Sequence, residues 1–113
     1  PAFRESLFAG RSGILPLTAV GEGVVKFPNA AEVRGFDPPR HFDERQAAML
    51  DRFTQFALVT AREAVRDAGI EFDEALRQRT AIVTGSCVGG QTTEDLGFRD
   101  YYAQGQSRFH PLT

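Results

Sequence analysis

Residues 49–90 constrain this chain more than any other stretch. They begin MLDRFTQFALVTAREAVRDAGI and end RTAIVTGSCVGG. A helix-patterned run gives way to a short β-branched run, which stops at a glycine-rich turn holding the only cysteine. Leu50, Phe53, Ala57, Leu58, Ala61, Ala64, Val65 and Ala68 recur at helical spacing on one stripe. Upstream, Asp43 is a helix cap, with Gln46 three residues on and Glu44 placed to favour the positive end of the dipole. Gly69 is the expected C-cap. The spacing thus predicts one helix from Asp43 to Gly69, about 25 residues or roughly 38 Å long. Its middle, Phe56, Ala57, Leu58 and Val59, is apolar all round, which predicts burial on more than one side. In so short a chain such burial calls for material from outside it, or for a partner subunit. Residues 80–84 (TAIVT) read as a buried core strand following the helix, and residues 85–90 as the turn after it. Helix followed by core strand is the α/β pattern.

The rest of the chain is punctuated by glycine and proline. Residues 2–9 form a short helix candidate through Phe3, Leu7 and Phe8, closed by Gly10 in the left-handed region. Residues 11–13 read as a turn. Between residues 14 and 39, Pro16, Gly21, Gly23, Pro28, Pro38 and Pro39 exclude a long helix. Extended pieces are expected at residues 23–27 and 31–36, in a loop-rich cap. Residues 73–77 read as one helical turn. Residues 91–103 read as a second helix, capped by Thr92 or Thr93 and stopped by Gly105, with a polar tail beyond. No internal repeat or low-complexity segment is visible.

At 113 residues the chain holds one domain at most. Its net charge of −2, with both signs interspersed, offers no nucleic-acid footprint. Its apolar runs are too short to span a bilayer, and no signal-peptide pattern opens it. One cysteine forms no internal disulfide, which fits a reducing cytoplasm. His41 and His110 lie far apart without ligand spacing, so neither a metal nor another cofactor is expected.

Cys87 is the first candidate for chemistry. A helix N-terminus just after it would lower its thiol pKa, Gly89 and Gly90 N–H groups would offer an oxyanion hole, and His110 would complete a Cys–His pair. Against this, a single cysteine is more often a small buried apolar residue, and that reading leads. The same turn lacks the lysine and hydroxyl of a phosphate-binding loop. His41, in a proline-rich loop, reads as a surface residue. Asp51 and Arg52 do not face each other on a helix, so no mutual ion pair is expected. Glu94, Asp95 and Asp100 read as a solvated face, and the scattered arginines as ordinary exposed ones.

Several segments together resemble the N-terminal half of the β-ketoacyl-ACP synthases. FRESLFAGRSGI (residues 3–14) is similar to that family's first helix with its L-x-x-G-x-S-G-I ending. EVRGFDP (residues 32–38) resembles its G-x-V-x-x-F-D-P segment. Residues 50–70 resemble its M-D-R-F-x-Q-x-A-L helix ending D-A-G-I, and residues 81–90 its G-S-G-x-G-G strand and turn. Residues 108–111 fall where the family runs on to a proline. The resemblance implies a thiolase-like fold, of which residues 1–113 are a partial N-terminal domain without the first strand and the catalytic cysteine region.

It further implies decarboxylative condensation of an acyl thioester with malonyl-ACP. The family's nucleophilic cysteine and two histidines lie beyond residue 113, so no catalytic residue falls in this chain. Cys87 stands where the family usually has a small residue. By the same resemblance Val88 lines the acyl-chain pocket near a dimer interface, flanked by Cys87 and Gly89. Arg45 and Arg108 match often-basic positions that contact acyl carrier protein, although Ala48 and Met49 replace residues often basic on that surface. The expected partners are acyl- and malonyl-loaded carrier protein and a second ketosynthase subunit, in a homodimer or heterodimer. Two alternatives stand beside this reading: a non-catalytic subunit of the chain-length-factor type, and a small free-standing α/β protein with Cys87 as a thiol nucleophile.

Overall fold

The computed structural model describes residues 2–21 and 23–107. These fall into two units, residues 1–36 and 37–113.

In the first unit, helix α1 (Ala2–Phe8) ends as its sequence predicts, with Gly10 at φ 59° and the Arg11 N–H donating to the Ser6 carbonyl. Two short strands follow, β1 (Leu15–Pro16) and β2 (Asn29–Ala30), paired antiparallel with Leu15 opposite Ala30. The extended pieces expected at residues 23–27 and 31–36 are not strands. Residues 23–26 make the bend of the connection instead, and the pairing moves to their flank, where the Leu17 N–H reaches the Pro28 carbonyl at 2.7 Å. Gly23, at φ 78°, supplies the positive φ this bend requires.

Glu32 fastens the connection. Its carboxylate accepts from the Thr18 N–H (3.0 Å), the Thr18 hydroxyl (2.8 Å) and the Ala19 N–H (2.7 Å). Arg34 donates to the same carboxylate at 2.9 Å and also to the Pro16 carbonyl. The Thr18 backbone bond, then the Thr18 hydroxyl, followed by Ala19 and Arg34, outweigh partial burial and hold the Glu32 pKa down at about 2, from 4.5. A pKa depressed on folding means stabilisation that is complete above the unfolded value and disappears as pH falls through the folded one. The Thr18 and Ala19 amides are therefore expected to lose protection from hydrogen exchange between about pH 4.5 and pH 2. Amide exchange across that window, in the native protein and in Glu32→Gln, checks this; identical profiles would refute it.

In the second unit a 3-10 turn (Pro38–Arg40) leads to α2 (Glu44–Met49), α3 (Arg52–Ala68), α4 (Glu74–Gln78) and α5 (Gln91–Gln104). Asp43 forms the full capping box: its carboxylate accepts from the Gln46 N–H at 2.7 Å, and the Gln46 side chain accepts from the Asp43 N–H. Gly69 closes α3 in the left-handed region at φ 63°. Asp73 caps α4 through the Leu76 N–H.

The single helix expected from Asp43 to Gly69 is two helices. Leu50 is extended (φ −103°, ψ 121°), and Asp51 starts α3 afresh by accepting from the Phe53 N–H at 3.1 Å. A short carboxylate that reaches its own backbone two residues on competes with helix continuation, and here it prevails. Gln55 repairs the break. Its side-chain amide donates to the Ala47 and Leu50 carbonyls, at 3.2 and 2.9 Å, which the interruption would otherwise leave open.

The expected burial of this helix is also corrected. Among the described residues only Phe42 (5% exposed) and Gln55 (7%) are buried. Phe42 lies under the Arg62 guanidinium, 5.3 Å from its ring, and Arg62 donates to the His41 carbonyl. Among the described residues no second layer covers the α3 stripe, so Phe53 and Val65 remain exposed and Phe56, Leu58 and Val59 half-buried. The core strand expected at residues 80–84 carries no ladder, and Ile82 and Val83 are 89% and 92% exposed. A strand needs a neighbour to accept its backbone bonds, and the one sheet described is the two-stranded β1–β2. No helix of the described residues is long and apolar enough to cross a membrane.

Candidate functional site

The glycine turn before α5 is held by the first turn of α3. α5 begins at Gly90, whose φ of 83° is left-handed and which has no side chain to cap with. The expected caps, Thr92 or Thr93, do not take that position. Thr93 is the third helical residue, and its orphan N–H is satisfied from another helix: Asp51 Oδ2 accepts from the Thr93 N–H at 2.9 Å and from its hydroxyl at 2.6 Å. One carboxylate thus caps α3 with one oxygen and serves the start of α5 with the other. Burial pushes the Asp51 carboxyl up, but the Thr93 hydroxyl and the Phe53 and Thr93 N–H groups outweigh it, and its pKa lies below the usual carboxylate value.

Phe53 makes the second tie. A Cβ placed on Gly89 would lie 2.6 Å from the Phe53 Cζ, 2.8 Å from its Cε2 and 2.9 Å from the Ser86 Oγ. Only glycine lets the turn backbone come this close to the ring. Gly85 and Gly13 have open space where a Cβ would stand, so Gly89 is required here by contact rather than by dihedral angle.

Of the predicted site residues, Cys87, Val88 and Gly89 stand together in this turn, and Val88 is 60% exposed. Cys87 is exposed, which overturns its reading as a buried small apolar residue. His110, the proposed mate of Cys87, lies outside the described residues, as does Arg108. Arg45 is exposed on α2. Among the described residues no group of three or more histidine, cysteine, aspartate or glutamate side chains is placed to hold a metal ion.

Sequence reasoning missed Asp51. In a continuous helix its nearest charged neighbour is Arg52, whereas its partner is 42 residues away. A local signal was present: aspartate is among the residue types that most readily take the N-cap position.

The chain belongs to the β-ketoacyl synthase family: it matches the β-ketoacyl synthase N-terminal domain over residues 2–112. It is 33% identical over 108 residues to a 3-oxoacyl-[acyl-carrier-protein] synthase 2 of Staphylococcus aureus, covering 96% of this chain and 27% of that protein. To the protein of the same name from Coxiella burnetii it is also 33% identical over 108 residues, covering 96% of this chain and 26% of the relative. The chain therefore spans about a quarter of the length of the curated relatives it matches. The family implies the thiolase-like α/β fold, to which these helices and the small sheet contribute.

Proposed function

We propose that this chain is part of a β-ketoacyl-ACP synthase that condenses an acyl thioester with malonyl-ACP, with loss of carbon dioxide, in fatty-acid or polyketide synthesis. The observation that carries this reading is the family match across residues 2–112. The relatives' names support the fatty-acid branch. In the proposed reaction a cysteine outside these residues takes the acyl group from its carrier as a thioester. Decarboxylation of the malonyl unit then supplies the carbanion that attacks the thioester carbonyl and expels the thiolate.

This chain's own part is recognition. Val88, with Cys87 and Gly89 beside it, borders the acyl chain, and its β-branched side chain restricts chain entry more than glycine would. Arg45 and Arg108 contact the acidic carrier protein; Ala48 and Met49, beside Arg45, point to a docking surface with fewer cations than is usual. The working form is a homodimer, or a heterodimer with another ketosynthase subunit, in the cytoplasm.

Residues 1–113 alone are expected to have no condensing activity, since the nucleophile and histidines of the resemblance lie outside them. Incubating the purified 113-residue chain, and separately the full polypeptide that carries it, with acyl- and malonyl-loaded carrier protein tests this. A β-ketoacyl product from the full polypeptide alone is the expected result. Product from the 113-residue chain would overturn the assignment of roles. No product from the full polypeptide would favour the non-catalytic chain-length-factor reading. The exposure of Cys87 supports a separate test, thiol alkylation under native conditions, which a free-standing nucleophile would answer with fast labelling.

A further inference from the structure

The turn that bears Val88 is tied to α3 at two places. Phe53, in the first turn of α3, lies where a Gly89 Cβ would be, and Asp51, which caps α3, holds the Thr93 N–H and hydroxyl just past the turn. Val88 is joined to Gly89 by one peptide bond, so its position follows wherever the Phe53 ring lets the Gly89 backbone rest. The α3 terminus is itself located by the Gln55 bonds to the Ala47 and Leu50 carbonyls. Phe53 is 44% exposed, yet its ring atoms Cζ and Cε2 lie 2.6 and 2.8 Å from where a Gly89 Cβ would stand. A ring held this close to the Gly89 backbone limits how near the turn can come to α3, because packed groups do not interpenetrate.

We propose that Phe53 is a positioning residue that sets the height of Val88 over α3, with the Asp51–Thr93 bonds as its second fixed point, and so selects acyl-chain length. This rests on the reading of Val88 as a border of the acyl site and deepens it: specificity is decided by the pair Phe53–Gly89 behind the pocket residue, as well as by Val88 itself. Phe53→Leu removes the flat support and lets the turn settle toward α3, withdrawing Val88 and admitting longer chains. Gly89→Ala drives the turn away from the ring and does the reverse. Phe53→Ala combined with Gly89→Ala gives the new methyl group room and returns the profile toward that of the native protein.

The test uses the full polypeptide and a series of saturated acyl-carrier thioesters of increasing length, with KM and kcat measured for each. Phe53→Leu is expected to shift the ratio of kcat/KM for long over short primers roughly tenfold, the size of effect that one methylene makes in an apolar pocket, and to do so mainly through KM. Thr93→Val, which loses the hydroxyl, shifts the ratio in the same direction by a smaller factor, and Thr93→Ser restores it. Amide exchange at Gly89, Gly90 and Thr93 is expected to quicken in Phe53→Leu and Thr93→Val. A uniform fall in kcat for all primers, or an unmoved ratio in active variants, overturns the positioning role while leaving the ketosynthase reading intact. Absence of turnover by the unaltered protein with every primer overturns both.

Discussion

Asp51→Ala is expected to cost the second unit about 2–3 kcal/mol, the sum of a lost helix cap and of donors left without an acceptor. The α3 cap accounts for about 1 kcal/mol, because Asp51 is the acceptor of the Phe53 N–H. The remainder comes from the far end of the carboxylate. The Thr93 N–H and hydroxyl lose their partner at a half-buried position, where water replaces a charged acceptor only in part. Asp51→Asn is expected to cost less, since its single carbonyl oxygen still serves one of the two helices. Thr93→Val should cost about 1 kcal/mol, and adding it to Asp51→Ala should cost little more, because both remove the same bond. Chemical denaturation of the four proteins, read as a double-mutant cycle, checks this. Additive losses would show that the two side chains act separately.

The same carboxylate carries a pH dependence whose sign follows from its depressed pKa. Its contribution is complete above the ordinary aspartate value of about 3.9 and is lost as pH falls through the lower folded value. The gap between native protein and Asp51→Ala should accordingly narrow in acid and stay constant near neutrality.

Self-association of the isolated 113-residue chain is the second large expected effect. Ile82 and Val83 are almost wholly exposed in a five-residue stretch, TAIVT, that combines β-branched side chains with no charge and no proline. Such a stretch with unpaired backbone is a template for strand pairing between molecules. Burying two such side chains is worth roughly 3–6 kcal/mol, at about 1.5–3 kcal/mol each. The exposed Phe53 and Val65 on α3 add to the same tendency. Sedimentation of the chain is expected to show species larger than a monomer at micromolar concentration, and Val83→Glu should shift it strongly toward monomer. A clean monomer that unfolds cooperatively would contradict this account, and equal association by Val83→Glu would place the contact elsewhere.

The local features were legible because their causes are local. Asp43 with Gln46, Gly69 after Ala68, Asp73 before α4, and Gly10 and Gly105 at their helix ends each satisfy orphan backbone groups within a few residues. The family, too, was readable from segments of this one chain, and the family match runs over residues 2–112. The break at Leu50 was not legible as helical periodicity, since the apolar stripe continues through it without interruption. Asp43 caps α2 and Asp51 caps α3, and the stripe carries no sign of the second cap.

What only the tertiary structure decided is what lies at long range. The Asp51–Thr93 bonds, the Phe53 ring against Gly89, and the Glu32 clamp on Thr18 and Ala19 join residues that no spacing rule relates. Exposure was decided there as well: the apolar middle of α3 and the TAIVT stretch call for burial by composition, but burial depends on a surface to pack against. Sequence pattern states which faces are apolar and where helices start and stop, since those follow from side-chain period and backbone caps. Which face meets which, and whether a β-branched run becomes a strand, depends on neighbours far along the chain or outside it.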